Sequence, residues 1–181
     1  MKKIVLAAVI AMTSGVASAV DYANLDIDHV RDVNNKNMSN AQYLRVGKEI
    51  SGFQLTAQAR NQVWNEGGAA NSMEVTAGKS LGMITPFVGV GFDNGYNGAK
   101  NADYQYGLVG ATTGMKVGPG FALAGVKHRL GTTASTETKQ TVAFGTYSIP
   151  VAKGVDIRFN LSKSYQDIRE NAYGVGVGFS F

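Results

Sequence analysis

Residues Asn171 to Phe181 read N-A-Y-G-V-G-V-G-F-S-F. Tyr173, Val175, Val177, Phe179 and Phe181 recur at every second position, with Gly174, Gly176, Gly178 and Ser180 between them. A strand sends alternate side chains to opposite faces, so the large residues share one face and the other face is nearly bare. In water such a strand would be an exposed, adhesive edge. In a bilayer, lipid covers the apolar face and closure of the sheet pairs the edge. The stretch therefore points to a strand of a closed transmembrane barrel.

The N-terminal end is consistent with this. Lys2 and Lys3 precede a short apolar run from Ile4 to Met12, and Ala17-Ser18-Ala19 is a small-residue cleavage pattern. This order marks a secretory signal peptide, too short to span a membrane as a helix, with cleavage expected after Ala19. Residues 1–19 are thus read as a signal peptide and 20–181 as one outer-membrane barrel domain. An exported chain with an amphipathic aromatic strand is expected in the Gram-negative cell outer membrane.

The mature part has no apolar run long enough for a helical span, so insertion has to be by strands. The absence of cysteine excludes a disulfide framework and thiolate metal sites. Twenty-three glycines against three prolines suit tight turns and crowded barrel walls. The formal charge is +4, and loss of Lys2 and Lys3 leaves +2 with no basic stripe, so nucleic acid is not an expected partner.

The mature chain divides into about ten alternating segments of roughly ten residues, the length of a tilted membrane strand. They are expected at 22–33, 42–50, 53–63, 72–81, 84–93, 103–116, 121–130, 140–149, 154–165 and 171–181. The clearest sets Phe53, Leu55, Ala57, Ala59 and Val63 against Gln54, Thr56, Gln58, Arg60 and Gln62. Segments 121–130 and 140–149 are mixed on both faces, which leaves an eight-stranded barrel as the alternative. Pro86 is awkward within a closed sheet and predicts a bulge. Connections alternate shorter and longer, from Ser51-Gly52 to Asn94–Ala102, as periplasmic turns and external loops do. Trp64, Phe92, Tyr104, Tyr106, Tyr165 and Tyr173 then lie near external strand ends, and Tyr22, Phe53, Phe121, Phe179 and Phe181 near periplasmic ends, giving two aromatic belts.

On these residues the chain resembles the small outer-membrane β-barrel proteins of Gram-negative bacteria, the broad OmpA-like and porin-like class. The resemblance is one of pattern and extends over nearly the whole sequence. It implies an all-β, closed antiparallel transmembrane β-barrel inserted by the barrel-assembly machinery, which reads the last strand. Carried over, Tyr173, Val175, Val177, Phe179 and Phe181 are the candidate insertion signal. Outer-membrane lipid and lipopolysaccharide are the implied partners.

Function then rests on the inward face. Arg45, Arg60, Glu74, Asp156 and Arg158 are the candidate pore-lining residues, mixed in sign. Simple hairpin registers place Arg158 opposite Gly178, Asp156 opposite Ser180, Phe87 opposite Gly78 and Glu74 opposite Gly91. Two readings stay open: an ion-pair network filling the interior, since an unpaired buried charge is costly, or a charge-lined constriction that sets solute selectivity. Asp26 and Asp28 share the inward parity and are expected to pair with Arg45 and Lys48. Two carboxylates without further loop oxygens do not make a cation site, so no metal and no cofactor are expected.

The first functional expectation is a narrow small-solute pore or structural barrel with a charged polar lumen. An alternative is a surface adhesion or recognition barrel that binds a partner through its external loops, with Trp64 and Tyr96 as contacts. A second alternative is a barrel enzyme, a protease or lipid deacylase, because the class contains both. His128, followed by Thr132, Thr133 and Ser135, lacks a nucleophile elbow or metal-ligand spacing. No catalytic residue is assigned, and the chain is not expected to be an enzyme.

Overall fold

Period-two alternation puts an apolar face and a polar or small face on nearly every segment, and such strands can hide their backbone polar groups only by pairing with each other. A computed structural model describes residues 20–94, 103–131, 139–166 and 169–181, with the side chains of Asp103 and Tyr104 excepted. The expected signal peptide lies outside the described residues. Ten strands follow in order: β1 (Tyr22–Arg31), β2 (Asn37–Ile50), β3 (Phe53–Trp64), β4 (Ala69–Lys79), β5 (Ile84–Asn94), β6 (Asp103–Val117), β7 (Gly120–Gly131), β8 (Lys139–Ala152), β9 (Val155–Gln166) and β10 (Asn171–Ser180). Each pairs with its sequence neighbour, and β1 pairs antiparallel with β10, so the sheet closes. The eight-stranded alternative is excluded, because β7 and β8 are full members of the ladder.

Strand limits agree with the alternation to within a few residues, and the larger differences have a cause. β2 begins at Asn37 rather than at 42, beside a register shift between Val30 and Arg31 that interrupts period two. β8 runs on to Ala152 through a second shift between Pro150 and Ala152. Pro86, by contrast, marks no bulge. It pairs with Ala111 in an unbroken register on β6, while the β4 ladder ends one residue away at Gly78–Phe87. The irregularity expected of a proline falls at Pro150 instead.

Both chain ends of the barrel lie on the side of the short turns. At Ser51-Gly52 both residues have positive φ, 53° and 78°, the two-residue geometry that matches strand twist. Gly82-Met83 is closed by the Leu81 N–H donating to the Ile84 carbonyl at 2.8 Å. Segments 32–36 and 65–68 lie at the opposite, external end, and residues 95–102, 132–138 and 167–168 lie outside the described residues.

The outside of the wall is apolar. Val75, Val88, Val90, Val126, Phe159, Leu161 and Val175 are all exposed, Val90 and Leu161 by 65%. A water-soluble barrel would hide these residues; here the polar side chains Asn24, Asp26, Ser39, Gln62, Ser72 and Glu74 are the buried ones. The inversion suits lipid outside and a polar interior. Phe92, Tyr165 and Tyr173 form the external aromatic girdle, and Phe53 and Phe179 stand at the periplasmic end. Tyr22, Trp64, Tyr106 and Phe121 correct the expected belts, since all four take inward positions, and the side chain of Tyr104 lies outside the described residues.

Val90→Arg places a charge at mid-height on the lipid face and is expected to destabilise the barrel by about 2–4 kcal/mol. Urea unfolding of protein refolded into phosphatidylcholine vesicles measures it. The unboiled wild type should migrate differently from the boiled chain on a gel.

Candidate functional site

Closure gives the inward positions of all ten strands a common space, and the residues there fit by size. Phe87 stands opposite Gly78 on one side and Gly110 on the other, as expected for the first pair. Glu74 stands opposite Gly91, also as expected, and Gly91 in turn faces Tyr106. A Cβ on Gly91 would fall on the Tyr106 ring, so the ring lies flat over bare backbone. Phe144 covers Gly125 in the same way, and Tyr22 covers Gly47 while sharing a 2.9 Å hydrogen bond with Thr56.

The last hairpin differs from expectation by one inward step. Arg158 stands opposite Gly176 and Asp156 opposite Gly178. The cause is the end of β9: Ser164 turns its N–H to the Glu170 carbonyl at 2.8 Å, and pairing with β10 starts only at Lys163–Asn171. A two-residue slip preserves parity, so the face assignments stand.

Arg45, Arg60, Glu74, Asp156 and Arg158 all take inward positions, but they do not form one ring. They belong to separate groups at different heights. At mid-barrel, Glu74 on β4 accepts from Lys127 Nζ at 2.7 Å and from Arg129 Nη2 at 2.7 Å, both on β7. This bridge spans β5 and β6, and Tyr106 adds its hydroxyl to Glu74 at 3.3 Å. The Arg129 guanidinium also lies 5.0 Å from the Tyr106 ring centroid. A second bridge joins Arg158 Nε on β9 to Asp26 Oδ1 on β1 at 3.2 Å, with Asp156 Oδ2 at 3.9 Å from Arg158 Nη1. Gly176 lies in register between Arg158 and Asp26, and a Cβ there would collide with the Asp26 carboxylate. Near the external mouth, Arg60 stacks 5.7 Å from the Tyr43 centroid, donates to Gln62, and lies 3.9 Å from Glu170.

Several expected partners are therefore replaced. Asp26 pairs with Arg158 and not with Arg45, whose Nε and Nη2 donate to Gln58 at 3.1 and 2.7 Å. Arg60 and Glu74 stand one inward step apart and find different partners. Lys127, Arg129 and Glu170 are members that the sequence reading missed. Counting parity back from the outward Leu130 would have turned Lys127 and Arg129 inward, but their partner on β4 is visible only after closure. The interior also holds two apolar groups: Tyr106 and Leu108 with Phe87, and Val30, Ala41 and Ala172 with Tyr43.

Trp64 ends β3 rather than standing in a loop, its N–H donating to the Gly68 carbonyl at 3.2 Å, and Tyr96 lies outside the described residues. His128 has the outward parity of Val126 and Leu130, with Nδ1 2.9 Å from Thr141 Oγ1. Tyr173, Val175 and Val177 are exposed on the lipid face of β10, Phe179 shares that parity, and Phe181 follows it. Among the described residues no three His, Asp or Glu side chains converge as metal ligands.

Glu74→Ala strands two buried cations and is expected to cost about 3–5 kcal/mol in urea unfolding. Gly176→Val should weaken the barrel too by displacing the Asp26 carboxylate, and Asp26→Asn should then add little further loss.

Comparison by sequence finds no matching family model and no matching curated protein. Comparison by structure finds the β-domain of the Bordetella autotransporter BrkA at 11% identity and TM-score 0.52, covering 88% of this chain and 98% of that one. The translocator domain of the autotransporter NalP from Neisseria meningitidis is 14% identical at TM-score 0.48, with 97% of each chain covered. Neisserial surface protein A is 12% identical at TM-score 0.46, covering 88% of this chain and 96% of that one. The BrkA match carries the fold and nothing finer: this is a barrel of the outer-membrane type.

Proposed function

We propose that this protein is an integral outer-membrane barrel acting as a narrow, weakly selective pore for small solutes. The supporting observation is the residual exposure of its lumenal ion pairs. Glu74, Lys127, Arg129 and Arg158 keep 9%, 13%, 14% and 13% of their side-chain surface accessible although they face inward. Because these side chains face inward, that surface borders space inside the barrel. A sealed ionic plug would favour full burial, and an open channel would leave opposite signs on separate walls. Bridges that cross the lumen instead divide it into small polar gaps. Near-balance of charge argues for weak selectivity: the inward carboxylates Asp26, Asp28, Glu74, Asp93, Asp156 and Glu170 stand against Arg45, Arg60, Lys127, Arg129 and Arg158.

The proposed partners are the lipids of the outer membrane and, during insertion, the barrel-assembly machinery acting on β10. No catalytic role is proposed. The outward, strand-paired His128 supports that choice, since it faces away from the lumen toward the membrane interface.

Refolded wild type in a planar bilayer should give small discrete conductance steps. Glu74→Ala, which removes the longest bridge, should enlarge them severalfold, and Arg158→Gln should shift preference toward cations. A folded, inserted barrel that is silent as wild type and as Glu74→Ala would overturn the pore reading in favour of a purely structural barrel.

A further inference from the structure

The external end of the lipid-facing wall is electrically one-sided. Arg31 on β1, Lys163 on β9 and Lys139 on β8 take outward positions there, the first two in one row: Arg31 pairs with Asn171, and Asn171 with Lys163. At the same height on β2 to β5 the outward residues are Asn40, Asn61, Asn71, Phe92 and Asn94, all uncharged. Asn61, Asn71 and Asn94 there satisfy one another, with hydrogen bonds of 2.8 Å from Asn61 Nδ2 to Asn71 Oδ1 and from the Asn71 N–H to Asn94 Oδ1. Basic residues that merely anchor a barrel at the interface would have no reason to avoid four adjacent strands of its ten.

Arg31 and Lys163 are held, each over a tyrosine ring and neither in an ion pair among the described residues. Arg31 lies 5.2 Å from the centroid of Tyr173 and donates Nη1 to the Asn35 carbonyl at 3.1 Å, while its Nε–H meets no acceptor among the described residues. Lys163 lies 5.5 Å from the centroid of Tyr165. Among the described residues the neighbouring carboxylates Asp32 and Glu170 are turned elsewhere. Asp32 Oδ1 accepts the N–H groups of Asn34 and Lys36 at 2.8 Å each, and Glu170 points to Arg60. Arg31 and Lys163 stand two strands apart, about 10 Å between Cα atoms. Their side chains can close on one tetrahedral anion above Asn171. Girdle tyrosines fix the depth at the headgroup level, where the anions available to an outward-facing residue are lipid phosphates.

We propose that the outward face of β9, β10 and β1 at its external end binds a phosphate-bearing lipid of the outer leaflet, gripped by Arg31 and Lys163 and flanked by Tyr165 and Tyr173. The inference rests on the outer-membrane reading above but not on conduction through the lumen.

The test uses the refolded full barrel in phosphatidylcholine nanodiscs doped with diphosphoryl lipid A, with bound lipid read by native mass spectrometry. The wild type should retain lipid A, and Arg31→Gln/Lys163→Gln should lower its apparent affinity by about tenfold or more. Lys79→Gln/Lys153→Gln, the same charge change at the periplasmic end, should leave it unchanged, and dephosphorylated lipid A should bind no better than phosphatidylcholine. Equal loss in both double variants, or equal retention of the dephosphorylated lipid, overturns the site. Full displacement by millimolar inorganic phosphate would show a free-anion site and overturn the lipid assignment. A wild type with no boiling-dependent gel shift would overturn barrel and lipid site together, whereas a shifted, silent barrel that binds lipid A would refute only the pore.

Discussion

Pairing of β1 with β10 is the constraint on which the other features depend. Hydrocarbon offers no hydrogen-bond partner to an open strand edge, so a sheet with an apolar outer face is stable in a membrane only when closed. The seam is a continuous register from Tyr22–Ser180 to Arg31–Asn171, extended by the Phe181 N–H donating to the Asp21 carbonyl at 3.0 Å. Once it forms, ten inward faces converge on one narrow space, and what fills that space becomes a packing problem with charges in it.

The solution pairs bulk with absence. Tyr106 over Gly91, Phe144 over Gly125 and the Asp26 carboxylate over Gly176 each use a neighbouring strand that offers only backbone. The glycines of β10 thus serve the inside as the aromatic residues of the same strand serve the outside. Room above the wall is what lets Arg158 reach Asp26 across a strand, and Lys127 and Arg129 reach Glu74 across two. Such pairs contribute position more than stability, because desolvation offsets much of their attraction. They hold distant strands at fixed spacing.

Inside and outside use charge differently. Lumenal Arg60, Lys127, Arg129 and Arg158 face carboxylates, whereas Arg31 and Lys163 on the outer wall rest on tyrosine rings with the nearest described carboxylates engaged elsewhere. A charge directed toward lipid is tolerated only near the headgroups, where snorkelling and anionic partners lower its cost.

Most strand limits and the faces of all but β7 and β8 were legible in the sequence because they follow from period two, a local property that neither the Lys163–Asn171 slip nor the bulges at Arg31 and Pro150 could reverse, whereas the choice of ten strands over eight came from the pairing of β7 and β8. The lipid-facing residues of β10 and the inward parity of Arg45, Arg60, Glu74, Asp156 and Arg158 were determined in the same way. The belts were only partly legible: depth along a strand could be read for Tyr22, Trp64, Tyr106 and Phe121, but the faces of these four rings required parity anchored on their partners. Which charge meets which was decided by tertiary structure alone. Glu74 and Arg129 are 55 residues apart in sequence and Asp26 and Arg158 are 132 apart, and they meet because closure, tilt and register set the heights of non-adjacent strands. Alternation along one strand carries no information about that height, since it repeats identically at every second residue.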